Sequence, residues 1–394
     1  MTTYKGTKER IQSLDLIRGI AILGILIMNI TSFSAISMAY LNPNLGPGIE
    51  GYNAWIHGFS YLFADMRFMS IFSILFGVGM MIFVSNVENR GLKAANFHYR
   101  RMLFLGVIGL LHAYLIWMGD ILVPYAICAC FVFLIRKWSS RTLIFFATIF
   151  FFVPLVMNLM LWFGLSPEEL FRTFDPVWNP SIAEQTQEIL AYRGPYSDQL
   201  GPRAEGAQAM QTYLFIGEGF WRYSSMMILG ILLHRWSWFS DYKSKTWHLR
   251  FGLIILFSGL FIAGTGLFQS YKVDWYGPWA LTIGHQYTYV SSLFIALAYI
   301  SLFIYWSQTN ILSGVQDRLQ EVGRMAFTNY ILSSIICTLI CYGHGFGLFG
   351  KLDRLEQWLV VLLVWVLILL GSNLILNKHK QGPLEAIWRR WTYH

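Results

Sequence analysis

The sequence predicts an all-α protein: a polytopic integral-membrane helical bundle of about ten transmembrane helices, forming one membrane domain over residues 1–394. Three observations carry this. The 394 residues are 56% hydrophobic and only 13% charged, about half the charged share of an ordinary soluble chain. Apolar stretches of about 20 residues, the length a helix needs to cross the hydrocarbon core, recur along the whole chain. Lys and Arg gather between alternate stretches, so the formal net charge of +8 reads as membrane topology and not as a nucleic-acid surface. The expected partner is the lipid bilayer, with no nucleic acid.

The spans are expected at about 17–39, 67–85, 102–118, 121–135, 142–164, 213–233, 251–270, 286–306, 325–343 and 358–376. The first is long, lacks a small-residue cleavage site and is followed by many others, so a cleavable signal peptide is not expected. An even count puts both termini on one side. That side collects 21 of the 29 lysines and arginines. They run from Lys5, Lys8, Arg10 and Arg18, through Arg100, Arg101, Arg235 and Lys243, to Arg389 and Arg390. The other side holds seven: Arg67, Arg172, Arg193, Arg203, Lys272, Lys351 and Arg354. Arg222 lies within a span. This roughly three-to-one bias predicts cytoplasmic termini.

The one long connection, 165–212, is then extracytoplasmic. Ser166-Pro167-Glu168-Glu169 is a capping box with proline at the first helical position. Ser181 to Glu184 is a second, weaker box. Short helices are expected over the outer face, either as a lid or as a plain connector, with Trp178, Tyr192 and Tyr196 suited to an interfacial layer. Spans three and four are joined only by Gly119-Asp120. Their 17 and 15 residues reach roughly 25 and 22 Å, short of a hydrocarbon core of about 30 Å. The turn is therefore expected in a recess, where protein or water must satisfy the bent backbone.

Costly polar groups within or beside the spans are the candidate functional residues. His112 precedes Asp120 by eight residues, about 80° apart on a helical wheel. The two read as a base and its orienter for acyl transfer, or as a bonded structural imidazole and the N-cap of span four. Asn29 reads as helix glue or as a ligand for a substrate carbonyl. Asp15 and Arg18 at the entry to span one either pair at the interface or meet an anionic cosubstrate. Glu218 and Arg222 have the favourable order for an i,i+4 salt bridge. His57, Asp65 and Arg67 flank span two as an interfacial charge cluster, with His57 and Asp65 a second candidate His/acid pair.

Other motifs carry no chemistry. Gly345-Phe-Gly347-Leu-Phe-Gly350 lacks a βαβ context and reads as an outer-face turn. No two histidines stand three or four apart, so no metal site is expected. Cys128, Cys130, Cys337 and Cys341 read as small apolar helix residues, without disulfides. There is no GxSxG or P-loop, and no covalently bound cofactor is expected.

Four blocks together resemble the bacterial YeiB-like family, also called domain of unknown function 418. They are Leu14-Asp15 through Arg18-Gly19 to Met28-Asn29; Phe72 to Gly79; Leu111-His112 through Trp117 to Asp120 and Tyr125; and Gly323 to Tyr330 with the tail Gly382 to Arg389. Asn329 belongs to the last block. Ser333 stands where a glutamine is usual. More distantly, the Leu-Asp-x-x-Arg-Gly opening and Asn29 are similar to transmembrane acyltransferases of the heparan-glucosaminide N-acetyltransferase type. That resemblance implies a multi-pass protein of the bacterial inner membrane. It also implies acyl transfer from a cytoplasmic acyl-CoA to an extracytoplasmic small-molecule, glycan or lipid-linked acceptor, with a histidine central. The histidine of those enzymes lies between spans one and two, nearest His57 here, whereas His112 and Asp120 lie in this family's own strongest block. On this reading Arg18, with Arg100 and Arg101, holds the phosphates of the acyl-CoA. A small-molecule transporter using Glu218, Arg222, Asp120 and His112, and a non-catalytic membrane protein, are the alternatives.

Overall fold

The computed structural model describes residues 12–239 and 244–393. Lys5, Lys8, Arg10 and Lys243, which enter the charge count, lie outside them. Among the described residues the chain is helical and contains no strand. Helix α1 (Gln12–Ser34) is followed by α2 (Tyr52–Phe63), α3 (Arg67–Glu88) and α4 (Ala94–Leu111). A π-helical turn, His112–Ile116, extends α4 before α5 (Leu122–Ile135) and α6 (Ser140–Gly164). Three short helices come next: α7 (Pro167–Trp178), α8 (Ile182–Arg193) and α9 (Tyr196–Ala209). A π segment, Met210–Gly219, runs into α10 (Phe220–Arg235), then α11 (Lys245–Lys272) and the single turn α12 (Gly277–Trp279). A third π turn, Ala280–Gly284, leads into α13 (His285–Ser307), and α14 (Ser313–Arg324), α15 (Ala326–Cys341), α16 (Arg354–Lys378) and α17 (Pro383–Tyr393) complete the chain.

A helix lies under most of each expected span, although α1 ends at Ser34, short of residue 39. Among the described residues, seven helical stretches are long and apolar enough to cross a membrane, or eight if α14 and α15, bent by 86°, count as one. The chain is a polytopic helical membrane protein. The count of ten goes further than length and apolarity do. Span four is the 14-residue α5, and span six is the π segment plus α10.

Helix α1 is central, with its buried residues shared between two apolar cores. One core joins it to α4, α5, α10, α15 and α16. The other joins it to α3, α6, α10 and α13. Without a hydrophobic force between helices in lipid, close approach depends on small residues. A Cβ at Gly77 of α3 would collide with the Met227 carbonyl of α10, and one at Gly230 with that of Ile74. Gly19 of α1 and Gly323 of α14 make the same reciprocal backbone contact.

Both capping boxes form at the starts of α7 and α8. The bonds from Ser166 and Ser181 hold the Glu169 and Glu184 carboxyls below the usual range. The helices they open lie against the bundle. Trp178 and Tyr192 depart from the expected interfacial layer: they are 3% and 1% exposed. Trp178 fills the space over Gly277, and its carbonyl accepts from Asn42 Nδ2 at 2.9 Å. Tyr192 stacks on Phe349, with ring centroids 4.7 Å apart. Their rings are used as protein core because this layer packs downward onto the bundle. The stretch 342–350 is the expected turn, with Gly347 and Gly350 at φ 67° and 68°. All four cysteines are free. Helix α2, which the sequence reading did not anticipate, is separated from α3 by Met66 at φ 60°.

The α3–α10 crossing is testable. Gly77→Ala or Gly230→Ala should cost about 1–3 kcal/mol by overpacking, seen as a lower unfolding midpoint of the detergent-purified protein. Gly79→Ala, where a Cβ meets nothing within 4 Å, should leave the midpoint unchanged.

Candidate functional site

The π-helical turn places His112. There the ladder widens by one residue, with Trp117 N donating to the His112 carbonyl at 2.9 Å. Trp117 is extended, and the chain folds back through Gly119 into α5. This return, not a shared helical face, brings Asp120 to His112. His112 Nδ1 lies 2.9 Å from Asp120 Oδ1, with both side chains fully buried. Asp120 Oδ2 accepts from Val123 N at 2.8 Å. One carboxylate thus orients the imidazole with one oxygen and satisfies the first turn of α5 with the other, so the two sequence readings of Asp120 are compatible. A Cβ at Gly109 would lie 2.9 Å from Asp120 Oδ2 and 2.7 Å from Val123 N, which explains glycine there.

His112 Nε2 is buried and has no hydrogen-bond partner among the described residues. An imidazole that donates its Nδ1–H to a carboxylate carries its lone pair at Nε2, as a general base requires. Tyr330 covers the ring with centroids 5.1 Å apart, and its hydroxyl accepts from Ile121 N at 3.2 Å. Trp117 stands edge-on to His112 and stacks on Phe33 of α1 at 4.1 Å. Asn29 is one turn before Phe33 on the same face of α1. It is half-buried. From the other side α9 clamps the π turn: Arg203 Nη1 and the Tyr196 hydroxyl both donate to the Leu115 carbonyl, at 3.0 and 2.6 Å.

A second polar cluster joins α3, α10 and α13. Arg67 and Arg222 are 0% and 1% exposed. Arg67 donates to the Asp65 carbonyl and, at 3.1 Å, to Ser291 Oγ. Arg222 donates to Ser70 Oγ at 2.9 Å and Ser292 Oγ at 2.6 Å. The expected Glu218–Arg222 pair is loose at 3.7 Å, because Glu218 is bound instead by His285 Nε2 at 2.6 Å. His285 was not among the sequence candidates. Its one signal is local: His112 opens the first π segment, Glu218 lies in the second and His285 follows the third. Such widened turns concentrate at functional sites.

The remaining candidates lie apart from both. His57 does not meet Asp65; its ring sits 5.3 Å from that of Trp275 and borders a small cleft with Thr31, Tyr40, Arg354 and Gln357. Asp15 accepts from Arg18 at 2.9 Å. Arg101 is sandwiched 4.2 Å from the rings of Phe83 and Trp388, while Arg100 is exposed. Asn329 bridges the α14–α15 bend to α16 through Val322 O and Ser372 Oγ, at 3.0 and 2.9 Å. No group of three or more His, Cys, Asp or Glu among the described residues is arranged to hold a metal ion.

A family model described as a protein of unknown function, DUF418, matches residues 233–394. The uncharacterized protein YeiB of Escherichia coli (strain K12) is 30% identical over 98% of this chain and 96% of its own. The uncharacterized protein YxaH of Bacillus subtilis (strain 168) is 30% identical over 98% of this chain and 95% of its own. No solved structure matches.

The double duty of Asp120 can be separated by mutation. Asp120→Ala should cost about 1–3 kcal/mol, since it leaves both His112 Nδ1 and Val123 N without a partner. Asp120→Asn, which keeps an acceptor for Val123 N, should recover part of this in thermal unfolding. An equal loss in both variants would assign the whole effect to the charge.

Proposed function

Because the chain belongs to the DUF418 family of proteins of unknown function, its chemistry must be read from its own side chains, and we propose that it is a membrane-embedded acyltransferase. The observation that supports this is His112: Nδ1 oriented by Asp120, Nε2 bare, both inside the protein. The donor is an acyl-CoA, and the acceptor an alcohol or amine on a small molecule, glycan or lipid.

The steps follow from the dyad. His112 Nε2 takes the proton of the acceptor O–H or N–H as the acceptor atom attacks the thioester carbonyl. The carbon–sulfur bond then breaks, and the departing thiolate receives the proton from Nε2. Asp120 favours the imidazolium that forms between these events. Asn29, on the α1 face that reaches Trp117, supplies an amide donor for the carbonyl oxygen. Arg18, exposed in part beside Asp15, and Arg100 hold donor phosphates beside the opening turns of α1. From Arg18 to Phe33 the axis of α1 rises about 22 Å, a distance for the extended arm of CoA to cover.

The lysine and arginine bias supports cytoplasmic termini, with α7–α9 extracytoplasmic. Reporter fusions test this: alkaline phosphatase should be active when inserted near residue 180 and inactive when fused after residue 394. The reverse pattern would overturn the orientation.

His112→Ala should reduce labelled acyl transfer from acyl-CoA into membrane acceptors about 10²- to 10⁴-fold, the usual contribution of a general base, while leaving expression and membrane insertion unchanged. Full activity in that variant would remove the assignment. A second reading, transport of a small solute, draws on the charged cluster of Arg67, Glu218, Arg222 and His285 inside the bundle. It predicts flux into proteoliposomes with no acyl donor present.

A further inference from the structure

The cluster on α3, α10 and α13 contains both signs of charge, yet neither arginine is hydrogen-bonded to a carboxylate among the described residues. Arg67 Nε, Arg222 Nε and Arg222 Nη1 have no hydrogen-bond partner among the described residues. The bonds Arg222 does make go to the neutral hydroxyls of Ser70 and Ser292, and its guanidinium lies 4.6 Å from the Tyr289 ring centroid. Glu218, the nearest carboxylate, is held by His285 and stays 3.7 Å away. Asp65 is within electrostatic reach of Arg67, Arg222 and His285, yet only its backbone carbonyl accepts from Arg67. Its carboxylate accepts no hydrogen bond among the described residues, and the residue is half-buried.

Buried ionic groups left in this condition are costly, and each calls for a partner. A simple anion would answer the guanidinium N–H groups but would crowd Asp65 and Glu218. A simple cation would answer Asp65 but face two arginines. A species carrying both charges a few bonds apart answers all of them.

We propose that this cluster binds a dipolar ligand, whose oxyanion (carboxylate or phosphate) takes the free N–H groups of Arg67 and Arg222 and whose ammonium takes the Asp65 carboxylate. Serines 70, 291 and 292 hold the two guanidinium planes in place, and the Glu218–His285 pair keeps Glu218 from competing for Arg222. The same chemistry is presented by a free amino acid or phosphoamine and by a zwitterionic lipid headgroup. The inference rests on neither reading above, because binding is measured without acyl donor and without a gradient.

The test uses the full-length protein in nanodiscs and reads ligand-dependent thermal unfolding. Glycine and phosphoethanolamine are the dipolar probes, with acetate, inorganic phosphate and ethanolamine as their halves. At least one dipolar probe should give a saturable rise and bind about tenfold tighter than either half. Asp65→Asn should remove that advantage, and Arg222→Gln should remove binding. If Arg222→Gln does not elute as a single species, the near-isosteric Asp65→Asn decides alone. With no solute added, higher stability in phosphatidylethanolamine than in phosphatidylglycerol discs, lost in Asp65→Asn, identifies the lipid headgroup as the source. Two outcomes overturn the proposal. One is that no dipolar probe shifts the transition in either disc and the discs do not differ. The other is that the anionic halves bind as tightly as the dipolar probes and Asp65→Asn changes nothing.

Discussion

A backbone that leaves the helix inside a membrane protein must find hydrogen bonds elsewhere, and much of the architecture around α4 and α5 answers that demand. The bend from His112 to Leu122 exposes carbonyls and amides that no helical ladder completes. Arg203 and Tyr196 of α9 take the Leu115 carbonyl. Tyr330 of α15 takes Ile121 N, and Asp120 takes Val123 N. The short helices α7–α9 are therefore part of the bundle's hydrogen bonding and more than a connector. Trp178 and Tyr192 of these helices are buried where they pack onto the bundle.

The same demand generates the candidate chemistry. Asp120 is needed for the start of α5, and its second oxygen is free to orient a neighbour. The widened turn presents His112 to it, and the absence of a side chain at Gly109 leaves them room. A structural cap and a base–orienter pair are thus one arrangement. Stability and the proposed acyl transfer are coupled at both residues, since removing either one leaves a buried polar atom of the other without its partner.

Helix α1 meets the first polar region and is anchored at its other end. Its Phe33 end meets Trp117 beside His112, and its opening turns are held against α14 by the Gly19–Gly323 contact. Glycine pairs perform the same service between α3 and α10, and that crossing carries Ser70 to Arg222. Small residues in the sequence therefore mark where the backbones touch, and the polar groups gather beside those contacts.

Composition, apolar run length and the spacing of Lys and Arg were sufficient for the membrane class and for the placement of a helix under most of each expected span. These are local properties, and the bilayer imposes them segment by segment. The polar residues that matter were also visible one at a time, since His112, Asp120, Arg67, Glu218 and Arg222 each stand where charge is costly. Their partners were not visible. His285 lies at the edge of a span, where a histidine is unremarkable until the start of α13 meets Glu218 in the π segment before α10. Asp65 looked like a partner for His57, and α2 carries that histidine away to Trp275. Glu218 has Arg222 in the favourable helical register, yet tertiary packing gives it a closer imidazole. Local preference decides which segments are helical and which polar groups need a partner. Only the packing of distant segments decides which partner comes within 3 Å, because hydrogen bonds fall off over distances that sequence spacing does not specify.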